Sequence, residues 1–301
     1  MPERRLHWPA AAIADGEDPV LVTPGWAGWS YAGLRVIALG RGQARSLGTG
    51  TTEMAVLPLS GSCLVECQGQ RFELEGRRSV FERVTDFAYV PMGAEVTITA
   101  TAGGEFALPA ARAARRLDPA YGPAEEVPVE VRGAGHCTRQ ITNFMAPGAF
   151  PADKLVAVEV LTPEGNWSSY PPHKHDEPNP ECGEAVLEEI YYFRISGRTL
   201  PLEGEEAPGF AVHKTYAADG EFDVTVTVRD GDVFLIPRGY HGPSMAAPGY
   251  HLYYLNVLAG PAEERTMAFC DDPKYGWIRQ SWDEMQPDPR LPMTSAKGEL
   301  P

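Results

Sequence analysis

Positive charge is scarce in this 301-residue chain: 26 lysines and arginines stand against 41 aspartates and glutamates, a formal charge of -15. A field of that sign repels phosphate backbones and anionic lipid surfaces, so neither nucleic acid nor a membrane is expected as a partner. Long apolar runs are missing as well, and nothing approaches the roughly 18 residues that a membrane-spanning helix needs. The opening MPERRLHWPAAAIADG carries two arginines, but His7, Trp8 and Pro9 interrupt the apolar stretch that a signal peptide requires. Cysteine is sparse. The five residues Cys63, Cys67, Cys137, Cys182 and Cys270 are irregularly spaced and form no CxxC unit, which reads as reduced thiols of a cytoplasmic protein and not as a disulfide framework. No GxGxxG follows a strand, and GxxxxGK before Ser or Thr, GxSxG and HExxH are absent, so no nucleotide cofactor is expected.

What the chain does have is strand-like segments. LRVIAL (34–39), MAVLPL (54–59), FAYVP (87–91) and EVTITATA (95–102) are β-branched or aromatic runs between turn residues, and KLVAVEVLT (154–162), EIYYFRI (189–195), FAVHKTY (210–216), DVFLIP (232–237) and YHLYYLNVL (250–258) follow. In FDVTVTV the apolar Phe222, Val224, Val226 and Val228 alternate with polar neighbours, the period of a strand with one buried face. Helical patterning is rare: ALPAARAARRLD (107–118) is expected to be a short linking helix, PAEERTMAFC (261–270) to hold a helical turn, and the tail after Trp282 to be an extended or partly disordered peptide. With 31 glycines and 28 prolines as punctuation, the expected class is all-β, an antiparallel barrel or sandwich with few short helices.

The chain also resembles itself. Glu189 precedes Gly197 by eight positions, as Glu53 precedes Gly61; Pro91 precedes Glu95 by four, as Pro237 precedes His241, with Gly93 matching Gly239. Two copies of one unit are expected, 1–125 and 126–301, with an extra hairpin near 198–220 in the second.

Chemistry concentrates in SYPPHKHDEPNPECGEAVLEEIYYFRISG. On a strand, His173 and His175 point to one face, about 7 Å apart. Glu189 opens the next aromatic strand, and His241 follows DVFLIP after the turn Arg238-Gly239-Tyr240. Three imidazoles and a carboxylate suit Zn²⁺, Mn²⁺ or Fe²⁺. Strand parity allows only one of Glu188 and Glu189 to face the ion; Glu189 is chosen and Glu188 expected to point outward. Asp176, Glu177, Glu181 and Glu184 read as a solvated loop, and Lys174 should point away from the metal. Between His7 and His136 there is no histidine, so the first half cannot build such a site.

PPHKHD, LEEIYYF, GDVFLIPRGYH and APGYHLYYLNVLAGP, together with GWSYAGLRVIALG and EMAVLPLSGSCLVECQG in the first half, resemble the bacterial 5-deoxy-glucuronate isomerases of myo-inositol catabolism, the IolB family. The resemblance implies a two-barrel cupin, each half a jelly roll (a double-stranded β-helix). It also implies an aldose–ketose isomerisation of 5-deoxy-D-glucuronate to 2-deoxy-5-keto-D-gluconate. The related 4-deoxy-threo-hexosulose-uronate ketol-isomerases of pectin breakdown use zinc on three His and one Glu. Carried over by motif, those ligands are His173, His175, Glu189 and His241, which puts one zinc first and leaves manganese or iron open. His213 departs from the family, where Gln is expected before the KTY-like segment.

For proton shuttling, Tyr191 and Glu189 are the catalytic candidates, two apart on one strand face. Tyr254 and Asn256 share another face and are expected, with His213, to touch a small sugar-acid substrate, whose carboxylate would meet Arg139 or Arg238. Oligomerisation is left open. So are three rivals: the pectin-pathway isomerase, an Fe²⁺ cupin dioxygenase on the same ligands, and a non-catalytic sugar-sensing or storage cupin.

Overall fold

The segments that read as unbroken apolar runs are strands buried on both faces. The computed structural model describes residues 5–179, 181–200 and 207–299, in which antiparallel strands are the dominant element and helices are few and short. In the first half a six-stranded sheet runs Ala120–Gly122, Phe87–Val90, Thr52–Pro58, Gly104–Arg112, Ala32–Leu39, Val20–Val22. It closes over a four-stranded sheet of Ala44–Gly48, Glu95–Ala100, Gly61–Cys67 and Gln70–Arg77. The second half repeats this. Its large sheet runs His7–Trp8, Val233–Ile236, Glu188–Ile195, Leu252–Ala259, Val156–Thr162, Arg139–Thr142, Val129–Arg132. Its smaller sheet holds Asp223–Val228, Ala211–Tyr216, Tyr240–Ala246, His173–Lys174 and Cys270–Asp271, with Trp167–Ser168 beside it. The strand His7–Trp8 thus crosses from the chain start into the second half.

Parity shows why the central strands are apolar throughout. Met54 and Val56 face the first barrel's interior, while Ala55 and Leu57 face a core shared with the second half. Tyr191 and Phe193 likewise face the second barrel's interior, and Ile190 and Tyr192 face the shared core. Burial on two faces removes the alternation that a one-faced strand such as Asp223–Val228 keeps.

Two reciprocal carboxylates pin the halves together. Glu53, fully buried, accepts the backbone N–H groups of Asp153, Lys154 and Leu155 at 2.8, 2.5 and 2.6 Å, and the Tyr89 hydroxyl at 2.6 Å. Glu188 accepts those of Ser30, Tyr31 and Ala32 at 2.7, 2.8 and 2.8 Å, at the entry to the corresponding strand of the first half. Glu188 therefore does point out of its own barrel, but onto the other one and not into solvent. It also corrects the internal alignment: Glu53 corresponds to Glu188, and Met54 to Glu189, because Met54 pairs with Val90 as Glu189 pairs with Ile236.

Other expectations are overturned. Residues 107–118 form no helix; Gly104–Arg112 is a strand held between Ala32–Leu39 and Thr52–Pro58, so two ladders of hydrogen bonds outweigh the helical propensity of its alanines. Residues 261–270 contain no helical turn and lead into the strand Cys270–Asp271. The hairpin of Ala211–Tyr216 with Asp223–Val228 is not an addition: it matches Gly61–Cys67 with Gln70–Arg77, and the extra length precedes it, partly in 201–206, outside the described residues. Cys182 and Cys270 are joined in a disulfide across Cα atoms 5.8 Å apart, so the cysteines are not all reduced thiols. The tail is extended as expected, and its described part is strapped down by Asp288 on Thr138 and Asn166, by Thr294 on Gln140 and by Ser295 on Val84. No helix among the described residues is long and apolar enough to cross a membrane.

Candidate metal centre

Three stretches far apart in sequence bring their side chains to one place inside the second barrel. The His173–Lys174 strand pairs with Tyr240–Ala246 so that His173 lies opposite His241, and Glu189 is the second residue of Glu188–Ile195 in the facing large sheet. His175, Glu189 and His241 are buried, and their ligand atoms all lie within 4.8 Å of one another. His175 Nε2 is 2.9 Å from Glu189 Oε2 and His241 Nε2 is 3.0 Å from the same oxygen. His173 stands outside that tight set, with its ring 4.4 Å from that of His241. The three-residue group therefore holds three of the four expected ligands.

The outer ring atoms tell which nitrogen faces inward. Nδ1 of His175 lies 3.1 Å from the Leu187 carbonyl, that of His173 3.3 Å from Pro171 O and that of His241 3.5 Å from Gly239 O. A carbonyl can only accept, so each Nδ1 donates outward and each Nε2 is turned toward the centre, the orientation of metal-ligating imidazoles. His241 Nε2, fully buried, makes no hydrogen bond despite its nearness to Glu189. Burial alone would raise Glu189, but the imidazoles of His241 and His175 hold it well below the usual carboxylate range. Burial and the neighbouring His241 push His173 well below its ordinary value, so it is neutral. A converging N/O set with an orphaned buried nitrogen fits a divalent metal ion.

The first barrel shows the same framework without donors. Gly48 pairs with Glu95 as His173 pairs with His241, and Met54 replaces Glu189. The expected match of Glu95 to His241 holds in register, and Glu95 is exposed.

The centre opens on a cavity of about 150 Å³ lined by Arg139, Ile141, Val158, Val160, Ser169, Tyr254, Asn256, Leu258, Met267 and Phe269 together with His173, His175 and Glu189. Arg132 and Arg279 also reach it, but each is paired, with Glu130 and Asp271. Arg139 is different: it is buried, it makes no ion pair among the described residues, and burial pushes its guanidinium down to about 10, still cationic at neutral pH. Its hydrogen bond goes to the Cys137 carbonyl at 3.1 Å. A larger depression in the first half, about 750 Å³, is open, and its Arg77, Arg78 and Arg83 are all paired with acids.

Other predicted residues fall as follows. Tyr254 and Asn256 line the cavity, and Asn256 Oδ1 is buried without a partner. Tyr191 does not line it; it lies behind, its ring stacked 4.7 Å from Tyr254, and reaches the cavity through Ser169, whose Oγ is 3.1 Å from Tyr191 Oη and 2.9 Å from Tyr254 Oη. Burial raises both phenols, so they stay protonated. His213 is fully buried behind Tyr191, with Nδ1 on Ser244 Oγ at 2.8 Å and Nε2 unpartnered, and burial holds it down to about 3. Arg238 is outside the cavity, half-exposed and paired with Asp219 and Glu221. Lys174 points away as expected, but onto Asp176 and the buried Glu184, so the acidic loop is a bonded network in part; Glu177 and Glu181 are exposed.

Ser169, Arg132, Arg279, Met267 and Phe269 escaped sequence reasoning. Leu258 and Ile141 were within its reach, since they lie two positions beyond Asn256 and Arg139 on strands already identified. Ser169 was not: its approach depends on Gly242, at φ +92°, where a Cβ would strike the Ser169 carbonyl.

Residues 7–278 match the KduI/IolB family. A 5-deoxy-glucuronate isomerase of Geobacillus kaustophilus is 40% identical over 279 residues, covering 92% of this chain and 96% of that protein. One from Bacillus subtilis strain 168 is 35% identical over 252 residues, 83% and 88% of the two chains. The crystal structure of an IolB-like protein from Salmonella typhimurium LT2 superposes with a TM-score of 0.82 at 31% identity, over 91% of this chain and 99% of that one. Oxalate decarboxylase of Bacillus subtilis, at 14% identity and TM-score 0.60 over 89% and 79%, shares the two-barrel cupin fold.

Proposed function

The chain belongs to the KduI/IolB family, and from that premise we infer that it is a 5-deoxy-glucuronate isomerase, converting 5-deoxy-D-glucuronate to 2-deoxy-5-keto-D-gluconate by aldose–ketose isomerisation in myo-inositol catabolism. The chemistry belongs to the second unit (126–301), and the first (1–125) serves as its structural partner. One observation supports a metal-centred form of the reaction: a buried imidazole–carboxylate group and an uncompensated guanidinium share one small cavity.

His173, His175, Glu189 and His241 are the residues that would hold one divalent ion, zinc first among the candidates. When bound, such an ion supplies Lewis acidity toward the carbonyl and adjacent hydroxyl oxygens of a sugar. The chain's own groups do the rest. Arg139 binds the carboxylate and fixes which end of the sugar reaches the imidazoles. Tyr254 Oη, kept protonated by burial, shares its proton with Ser169 Oγ at the cavity wall, and Tyr191 completes that hydroxyl chain. Asn256 offers its free Oδ1 to a sugar hydroxyl. Leu258, Met267 and Phe269 keep the surroundings apolar and water-poor.

The test is removal of the metal by chelation, followed by assay of 5-deoxy-glucuronate isomerisation. Activity is expected to vanish and to return with added Zn²⁺; a fully active metal-free protein removes the metal-centred reading. Arg139→Met gives a second check. Losing a charge-assisted bond of about 1.5–3 kcal/mol should lower kcat/KM by about 10- to 10²-fold, mostly through KM. An unchanged KM for the uronate would take Arg139 out of the binding site.

A further inference from the structure

Building on the isomerase reading, we propose that Ile141 and Val160 are specificity determinants: they form the apolar wall for the unsubstituted C5 of the sugar acid and select against a uronate with a hydroxyl at that carbon. The cavity's residues lie in ordered rows across the large sheet. Glu189 pairs with Leu258 at the metal end, and Asn256 pairs with both Tyr191 and Val158 in the next row. The row after that is Tyr254, Val160 and Ile141, joined by the pairs Val160↔Tyr254 and Ile141↔Val160. Arg139 lies two residues before Ile141 on the same strand and the same face. The row next to the cation thus presents two aliphatic side chains beside Tyr254, whereas Asn256 and the imidazoles lie nearer the metal end.

A six-carbon acid whose carbonyl end faces the imidazoles and whose carboxylate meets Arg139 has C5 one bond from the carboxylate carbon. That carbon falls beside Ile141 and Val160. Neither side chain can hydrogen bond, and the Tyr254 hydroxyl in their row is already engaged by Ser169 at 2.9 Å. A hydroxyl on C5 turned to this wall would lose its water against two side chains that offer it no partner. The unpartnered Oδ1 of Asn256 lies one row nearer the metal, where the remaining hydroxyls are.

The experiment compares kcat/KM for 5-deoxy-glucuronate and D-glucuronate in the wild type, Val160→Thr and Ile141→Thr, with melting temperature and metal content recorded for each. The wild type should prefer the deoxy substrate by about 10²-fold, the scale at which an apolar pocket rejects an added hydroxyl. Val160→Thr keeps the shape and supplies a hydroxyl, so it should narrow that preference by about tenfold, the equivalent of one recovered neutral hydrogen bond. Ring closure of glucuronate affects wild type and variants alike, so the change in ratio isolates the wall. Ratios within about twofold of wild type in both folded, metal-replete variants overturn the proposal, as does a wild type that accepts both sugars equally. Ile141→Thr carries the test if Val160→Thr does not fold. Turnover of neither sugar by the wild type would instead overturn the isomerase reading itself.

Discussion

His241→Ala should release the bound divalent ion and lower isomerase turnover by about 10³-fold, the equivalent of several kcal/mol of lost charge stabilisation, while the protein still folds. His241 is completely buried, its Nδ1 is turned to a backbone carbonyl, and its Nε2 has no protein hydrogen bond to lose. Its removal therefore withdraws a ligand without breaking a structural network. Metal analysis of the purified variant, with the activity of a sample supplemented with Zn²⁺, checks this. The same position in the first barrel supplies the control: Glu95 is exposed and opposite a glycine, so Glu95→Ala should keep both metal and activity. Stoichiometric metal and wild-type turnover in His241→Ala would show that the imidazole is a core residue and not a ligand.

Glu159→Leu is expected to destabilise the protein by about 3–5 kcal/mol, because it strands the buried Arg77 charge. Arg77 comes from the first half and Glu159 from the second, and their side chains are only 2% and 4% exposed. Glu159 also accepts the Tyr253 hydroxyl at 2.7 Å, so the change leaves a second buried group unpaired. At about 2–4 °C per kcal/mol for a large domain, the melting temperature should fall by roughly 6–20 °C. The double variant Arg77→Met/Glu159→Leu should recover most of the loss, since two apolar side chains of similar volume leave no orphaned charge. Scanning calorimetry at one fixed scan rate makes the comparison valid even if unfolding is irreversible. A shift of less than about 2 °C for Glu159→Leu would mean that water reaches the pair and that it adds little to the join between the two halves.

The convergence of His175, Glu189 and His241 was legible because metal chemistry restricts residue type and spacing. His173 and His175 alone are a common pair, and it was Glu189 opening an aromatic strand and His241 closing Gly-x5-Pro-x-Gly-x-His that pointed to a shared ion, with strand parity separating Glu189 from Glu188. Parity could not reveal what Glu188 does, because its partners, the amides of Ser30 to Ala32, are more than 150 residues away. The same limit explains the misaligned repeat: counting eight residues from glutamate to glycine matched Glu53 to Glu189, whereas register matches it to Glu188. Residues 107–118 were misread because alanine-rich runs favour helices only until two neighbouring strands claim their amides. Cys182 and Cys270 were misread because a separation of 88 residues carries no hint of a Cα distance of 5.8 Å.

Composition, periodicity and the histidine motifs by themselves determined an all-β chain with one donor-bearing half and one donor-free half. Those properties follow from side-chain chemistry and from the two-residue period of a strand, both local. Only the tertiary structure decided which arginine is free to meet a carboxylate, that Ser169 and not Tyr191 faces the cavity, and that Glu53 and Glu188 lock the barrels together. Each of these depends on which distant groups are brought near enough to pair or are left unpaired, and pairing across a fold is not written in any local pattern.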